Sequence, residues 1–234
     1  MRRVRTKAVG IGAFAFTLIL TAILLAGAAP GAMAADKDDA QGIVDQARVT
    51  LGNFMRDKDY EWLRANIKKA KGVLIYPQVL KAGFILGGSG GTGVLLARDS
   101  KTGAWSDPAF YTLGSVSFGL QIGGEAAEVI LLVMSQKGVD SLLTSKFKLG
   151  GDTSIALGPV GAGAKADVTT DFISFAKSKG LYAGLNLDGS YLDVRESLNK
   201  AYYGKDVTPA DIIVKKDVSN QGAAALIKEL KKAQ

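Results

Sequence analysis

Gly88, Gly90 and Gly93 stand in G-x-G-x-x-G spacing inside the glycine-rich run 87–93. In that pattern main-chain amides and a following helix N-terminus hold a pyrophosphate. The chemistry requires a helix directly after the glycines. Here Val94-Leu95-Leu96-Ala97-Arg98 follows, the chain turns over 99–103, and no Lys-Ser or Lys-Thr closes a phosphate loop. The run therefore reads as a flexible strand-to-strand connection, with a glycine-lined anion nest as the competing use. Two acid pairs, Glu125 with Glu128 and Asp167 with Asp171, are the candidates for general acid–base work. Spacings of three and four bring carboxylates together only on a helix. Both pairs fall at strand edges and read as solvated loop acids. The sequence has neither cysteine nor histidine, which excludes disulfides, thiolate or imidazole metal sites and every triad built on an imidazole.

Basic residues carry a clearer pattern. Arg64, Lys68 and Lys71 recur at i, i+4 and i+7 with Lys69 beside them, and Tyr60 and Trp62 precede them by one turn. On a helix this makes a cationic face with aromatics at its border. Such a face docks on an anionic membrane, each cation adding about 1 kcal/mol near the surface. The same pattern also describes an ordinary solvated helix face. Lys215, Lys216, Lys228, Lys231 and Lys232 form a second set, and a lysine-rich helix end mainly complements the helix dipole.

Elements must position these groups. Of 234 residues, 47% are hydrophobic, 22% charged and 29 are glycine, a composition of globular type with glycine well above the usual ~7%. Residues 1–34 read as a secretory signal: Arg2, Arg3, Arg5 and Lys7, an apolar run, then Pro30 and an A-x-A end at Ala32 and Ala34. The run is also long enough to serve as an uncleaved anchor. Without the leader's four cations, 25 basic residues face 22 acids, so the formal charge falls from +7 to +3. Nucleic-acid binding through bulk charge is thereby unsupported.

After a short acidic lead-in over 36–39, residues 39–54 and 58–71 show helical spacing and predict two helices. Twenty-one of the 29 glycines lie between Gly72 and Gly189. The segments between them predict strands over 73–76, 82–86, 93–98, 109–113, 116–122, 129–134, 154–157, 172–176, 181–187 and 191–194. The all-apolar 129–134 is expected at the centre of the sheet, and Trp105, Phe110 and Tyr111 in the core or near a loop. Helical texture returns over 138–144, 195–203, 209–213 and 222–232. The expected fold is α+β: one domain over 35–234, a glycine-rich, strongly curved antiparallel β-sheet flanked by N-terminal and C-terminal helices.

At this resolution the spacing becomes recognisable. Lys71-Gly72-Val73-Leu74-Ile75, Gly83-Phe84-Ile85-Leu86-Gly87-Gly88, Arg98 with Gly103-Ala104-Trp105-Ser106-Asp107-Pro108-Ala109-Phe110-Tyr111, Ser178-Lys179-Gly180-Leu181-Tyr182 and Tyr202-Tyr203-Gly204 resemble, in order, the SYLF domain family. The resemblance implies a non-enzymatic, lipid-binding domain, also described as actin-binding in fungi, with no cofactor or metal. It implies lipid contact through the N-terminal helical region, which by position points to Trp62, Arg64, Lys68, Lys69 and Lys71. Phe175-Ala176 departs from the family's usual Tyr-Ser. The leading expectation is an exported, periplasmic or secreted module docking on anionic phospholipids, strengthened by partial insertion of Trp62 or Phe54. An envelope protein-interaction or structural module is the alternative, and a carboxylate-dependent hydrolase the third reading.

Overall fold

The computed structural model describes residues 30–83, 86–118, 123–151, 153–161, 163, 169–178 and 187–233. Residues 36–234 form one compact unit and residues 1–35 another. Most of the expected leader, the segment 119–122, most of the expected strand 181–187, and Asp167 lie outside the described residues.

Helix α1 spans Pro30–Arg56, so the acidic stretch 36–39 is helical rather than a lead-in. Its buried positions, Ala40, Val44, Ala47, Leu51 and Phe54, follow helical spacing and lie against the sheet. The predicted second helix is broken. A 3-10 turn covers Lys58–Tyr60, α2 only Glu61–Asn66, and a second 3-10 turn Ile67–Lys69. The Asn66 side-chain amide donates to the carbonyl of Trp62 at 2.8 Å, the Ile67 amide still reaches the Leu63 carbonyl, and the chain then tightens so that the Ala70 amide bonds the Ile67 carbonyl.

The sheet follows as β1 (Gly72–Gly83), β2 (Leu86–Ala97), β3 (Ala109–Phe118) and β4 (Gly123–Val133). Helix α3 (Gln136–Leu142), β5 (Lys146–Lys148), β6 (Ile155–Leu157), β7 (Phe172–Ser178) and β8 (Tyr191–Val194) come next. Helix α4 (Glu196–Tyr203), a π-turn over Asp211–Lys215 and α5 (Ala224–Lys232) complete the chain. Among the described residues eight strands order as β5-β8-β3-β2-β1-β4-β7-β6 and curl into a half-barrel. All pairs are antiparallel except β6 with β7, which the connection over 158–171 makes parallel.

The expected strands 109–113 and 116–122 are one strand, β3, as far as Phe118. Residues 73–76 and 82–86 belong mainly to β1, which passes Pro77 through a bulge between Ile75 and Val79. A bulge tolerates proline because the ladder is already interrupted there. The glycine run 87–93 is the body of β2, not a connection. A Cβ on Gly91 would lie 2.3 Å from the Gln78 carbonyl, and one on Gly93 the same distance from the Ile75 carbonyl and 2.6 Å from the Tyr76 ring. The bulged neighbour therefore requires bare backbone at these two positions. The sheet packs on both faces. Val73, Ile75, Val94, Leu96, Phe110 and Ile130 meet the helical layer. Leu74, Tyr76, Leu95, Tyr111, Val129 and Leu131 meet α3, β5 and the π-turn.

Candidate lipid-docking surface

The segment joining α1 to β1 is fastened at several points. The Asp57 carboxylate accepts from the Asp59 amide at 3.1 Å and from Lys177 Nζ at 2.5 Å. The Lys177 bond, then the Asp59 amide, hold the Asp57 pKa below its ordinary value. Tyr60 donates its hydroxyl to the Ala176 carbonyl at 2.8 Å, and burial pushes its pKa up to about 12. Phe54 is fully buried and meets Tyr60 edge to face at 4.5 Å. Insertion of Phe54 into a bilayer is therefore excluded: its ring already fills the core. Trp62 is half-buried and stacks on Phe175 at 5.9 Å, so only part of its surface faces solvent.

The break in the second helix divides the cationic set. Arg64 donates to the main-chain carbonyls of Asp57 and Lys58, closing the first 3-10 turn. It lines a cleft of about 300 Å³ with Met55, Glu229, Lys232 and Ala233, beside the C-terminal lysines rather than Lys68. Lys68 and Lys69 are exposed on the second 3-10 turn, and Lys69 Nζ donates to Asn66 Oδ1 at 3.0 Å. Arg98 secures this corner through bonds from Nη1 to the Lys68 carbonyl at 2.5 Å and from Nε to the Gly103 carbonyl at 3.2 Å. Its amide also donates to the Lys71 carbonyl at 2.7 Å. Beside it, Asp99 takes Lys216 Nζ at 2.5 Å, and Lys216 adopts a left-handed φ of 57°. A cationic corner of Lys68, Lys69 and Lys71, next to Arg98 and Lys216, replaces the continuous helical stripe. Arg98 carries no helical periodicity with the lysines, so only the tertiary structure reveals its part.

Among the described residues the other sequence candidates do not assemble. Gly88, Gly90 and Gly93 lie in a strand followed by a turn, so no helix N-terminus meets them. Glu125 and Glu128 are strand residues, not loop acids, and their odd spacing puts them on opposite faces of β4. Glu128 accepts from Thr50 Oγ1 at 2.8 Å and Asn53 Nδ2 at 3.0 Å, tying α1 to the sheet. Asp171 stands at the far end of the β4–β7 pair, bonded by Ser135 and Ser154. No cluster of three acids forms a metal site among the described residues. Trp105, Phe110 and Tyr111 are buried, as expected.

A family model described as "Ysc84: Las17-binding protein actin regulator" matches residues 114–233, slightly more than half of the chain. The chain belongs to the Ysc84 (SYLF) family. It is 32% identical over 152 residues to the SH3 domain-containing YSC84-like protein 1 of Rattus norvegicus and of Homo sapiens, covering 63% of this chain and 44% of those proteins. It is 36% identical over 156 residues to Protein YSC84 of Saccharomyces cerevisiae, covering 63% of this chain and 32% of that protein. The match thus spans less than half the length of these relatives. The rat and human proteins are named for an SH3 domain, and a further relative of Saccharomyces cerevisiae, 34% identical over 156 residues and covered to 33%, is named LAS seventeen-binding protein 3.

Proposed function

We propose that this Ysc84-family chain is a non-enzymatic docking module whose cationic corner binds anionic phospholipid surfaces. The observation that carries the reading is the rigid presentation of Lys68 and Lys69, exposed on a turn that Arg98 ties to the sheet. Long cationic side chains on a fixed backbone attract phosphate headgroups without a cost for ordering the backbone. Phe54 contributes nothing to contact, Trp62 only its exposed part, and Arg64 belongs to the turn that shapes the segment. With residues 1–34 read as an export signal, the surface meets phospholipids of the cell envelope. Co-sedimentation with neutral and anionic vesicles at low and high salt tests this. Lys68→Ala with Lys69→Ala removes two cations worth about 1 kcal/mol each, so binding at low salt falls roughly 30-fold. Unchanged binding of the double variant to anionic vesicles overturns the assignment.

A protein partner is the second reading. It is favoured by the names of the family model and of the relative LAS seventeen-binding protein 3. Binding that ignores lipid charge and salt identifies it.

A further inference from the structure

One line of cross-strand neighbours crosses five strands on the face of the sheet that α1 covers only in part. Lys148 pairs with Tyr191, Tyr191 with Gly114, Gly114 with Gly90, and Gly90 with Leu80. Tyr191 is 46% exposed and Leu80 55%. Between them lie two bare positions, closed on one flank by the Thr112–Thr92 pair; on the other flank Val116, which is 78% exposed, stands beside Gly114, while its partner Gly88 leaves the side next to Gly90 open. Three strand spacings separate the Tyr191 and Leu80 backbones, about 14 Å. The result is a slot one side chain deep, and it opens beside Leu80 into a groove of about 250 Å³ reaching Ile43 and Gln46 of α1.

The two glycines on its floor are not required by the fold. A Cβ on Gly114 would meet nothing within 4 Å, and one on Gly90 only the Leu113 carbonyl at an ordinary 3.5 Å. Neither has a positive φ. Glycine inside a strand is destabilising relative to alanine, and it marks places where another molecule approaches the backbone. At the tyrosine end, Lys146 Nζ and Lys148 Nζ stand 5.1 and 5.7 Å from the Tyr191 ring centroid. Neither ammonium has a carboxylate within 4 Å among the described residues. Thr112 Oγ1 is shielded and has no hydrogen-bond partner among the described residues.

We propose that the slot receives a bulky apolar side chain from a partner protein segment, whose adjacent carboxylate is held between Lys146 and Lys148. The slot's shortness favours protein over lipid, because Tyr191 and Leu80 close it after two residues and an acyl chain overruns it. The two ammoniums supply charge complementarity to an acidic segment. This surface is distinct from the cationic corner and stands independently of the lipid reading.

The test titrates the ¹⁵N-labelled full chain with three synthetic peptides, Gly-Asp-Trp-Asp-Gly, Gly-Lys-Trp-Lys-Gly and Gly-Asp-Ala-Asp-Gly. The acidic tryptophan peptide is expected to shift the Gly90 and Gly114 amide signals, with the other two at least ten-fold weaker. Gly114→Val fills the slot and abolishes the response at unchanged melting temperature. Should that variant misfold, Lys146→Ala with Lys148→Ala, both at exposed positions, is expected to weaken the response about ten-fold. Lys68→Ala with Lys69→Ala leaves it intact. Equal responses to all three peptides, shifts confined to other residues, or an undiminished response in Gly114→Val overturns the proposal. So does displacement of the same two signals by anionic vesicles in place of the peptide, which assigns the slot to lipid.

Discussion

Strands β1 to β4 are built differently at their two ends. Where β1 begins and β4 finishes, Val73, Ile75, Ile130 and Leu132 face the helices while Leu74, Leu131 and Val133 face the opposite layer, all buried. At the other end the same strands expose Leu80 and Val116, and glycine takes positions that side chains fill elsewhere. Glycine has two meanings within one strand. At Gly91 and Gly93 neighbouring atoms forbid a Cβ, whereas at Gly90 and Gly114 space for one is available. The closed end holds the fold together, and the open end is left with surface that the fold itself does not use.

The largest test of this contrast sets Phe54→Ala against Leu80→Ala. Phe54 is wholly buried between α1 and the sheet, so its truncation costs about 3–5 kcal/mol in urea unfolding. Leu80, more than half exposed, costs about 0.5 kcal/mol or less. The comparison breaks if Phe54→Ala loses vesicle binding while keeping its stability, because the ring would then act at a surface.

Paired glycine substitutions sharpen it. Gly93→Ala drives a methyl into the Ile75 carbonyl and the Tyr76 ring and is expected to cost about 2–3 kcal/mol. Gly114→Ala enters open space and changes stability by at most about 1 kcal/mol, in the stabilising direction. Equal losses at both positions in thermal unfolding would erase the distinction between them. Glu128→Ala, which strips acceptors from Thr50 and Asn53, falls between at about 2 kcal/mol, read from the denaturant midpoint.

Much of the closed end is legible in the sequence. The spacing of Ala47, Leu51 and Phe54 gives α1 its buried face, and the apolar run 129–133 marks a strand inside the sheet. What the sequence conceals is set by tertiary contact. Pro77 and the run 87–93 look like breaks in local terms, yet β1 bulges at the one and β2 passes through the other. Lys68 and Lys71 fit a helical stripe by spacing, but after Asn66 the chain tightens into a 3-10 turn and the stripe becomes a corner. The line from Lys148 to Leu80 gathers residues from five strands, and no local pattern encodes it.

The smallest expected effect is one of pH at the closed end, where Asp171 joins β7 to α3 and β6. Hydrogen bonds from Ser135 and, to a lesser extent, Ser154, with the charge of Lys137 beside them, hold its pKa below the ordinary carboxylate value, as Lys177 does for Asp57. A carboxyl whose folded pKa is depressed contributes stability that is complete above the unfolded value of about 3.9 and disappears as pH falls through the folded value. Urea midpoints are therefore expected to stay level with respect to these two groups from pH 7 to about 5 and to drop below about pH 4. Asp171→Asn keeps the shape but not the charge, so it lowers the plateau and flattens the acid limb. Two parallel curves, offset but equally steep, would mean that Asp171 acts only through the hydrogen bonds its oxygens accept and that its ionised form contributes nothing to closing this end of the sheet.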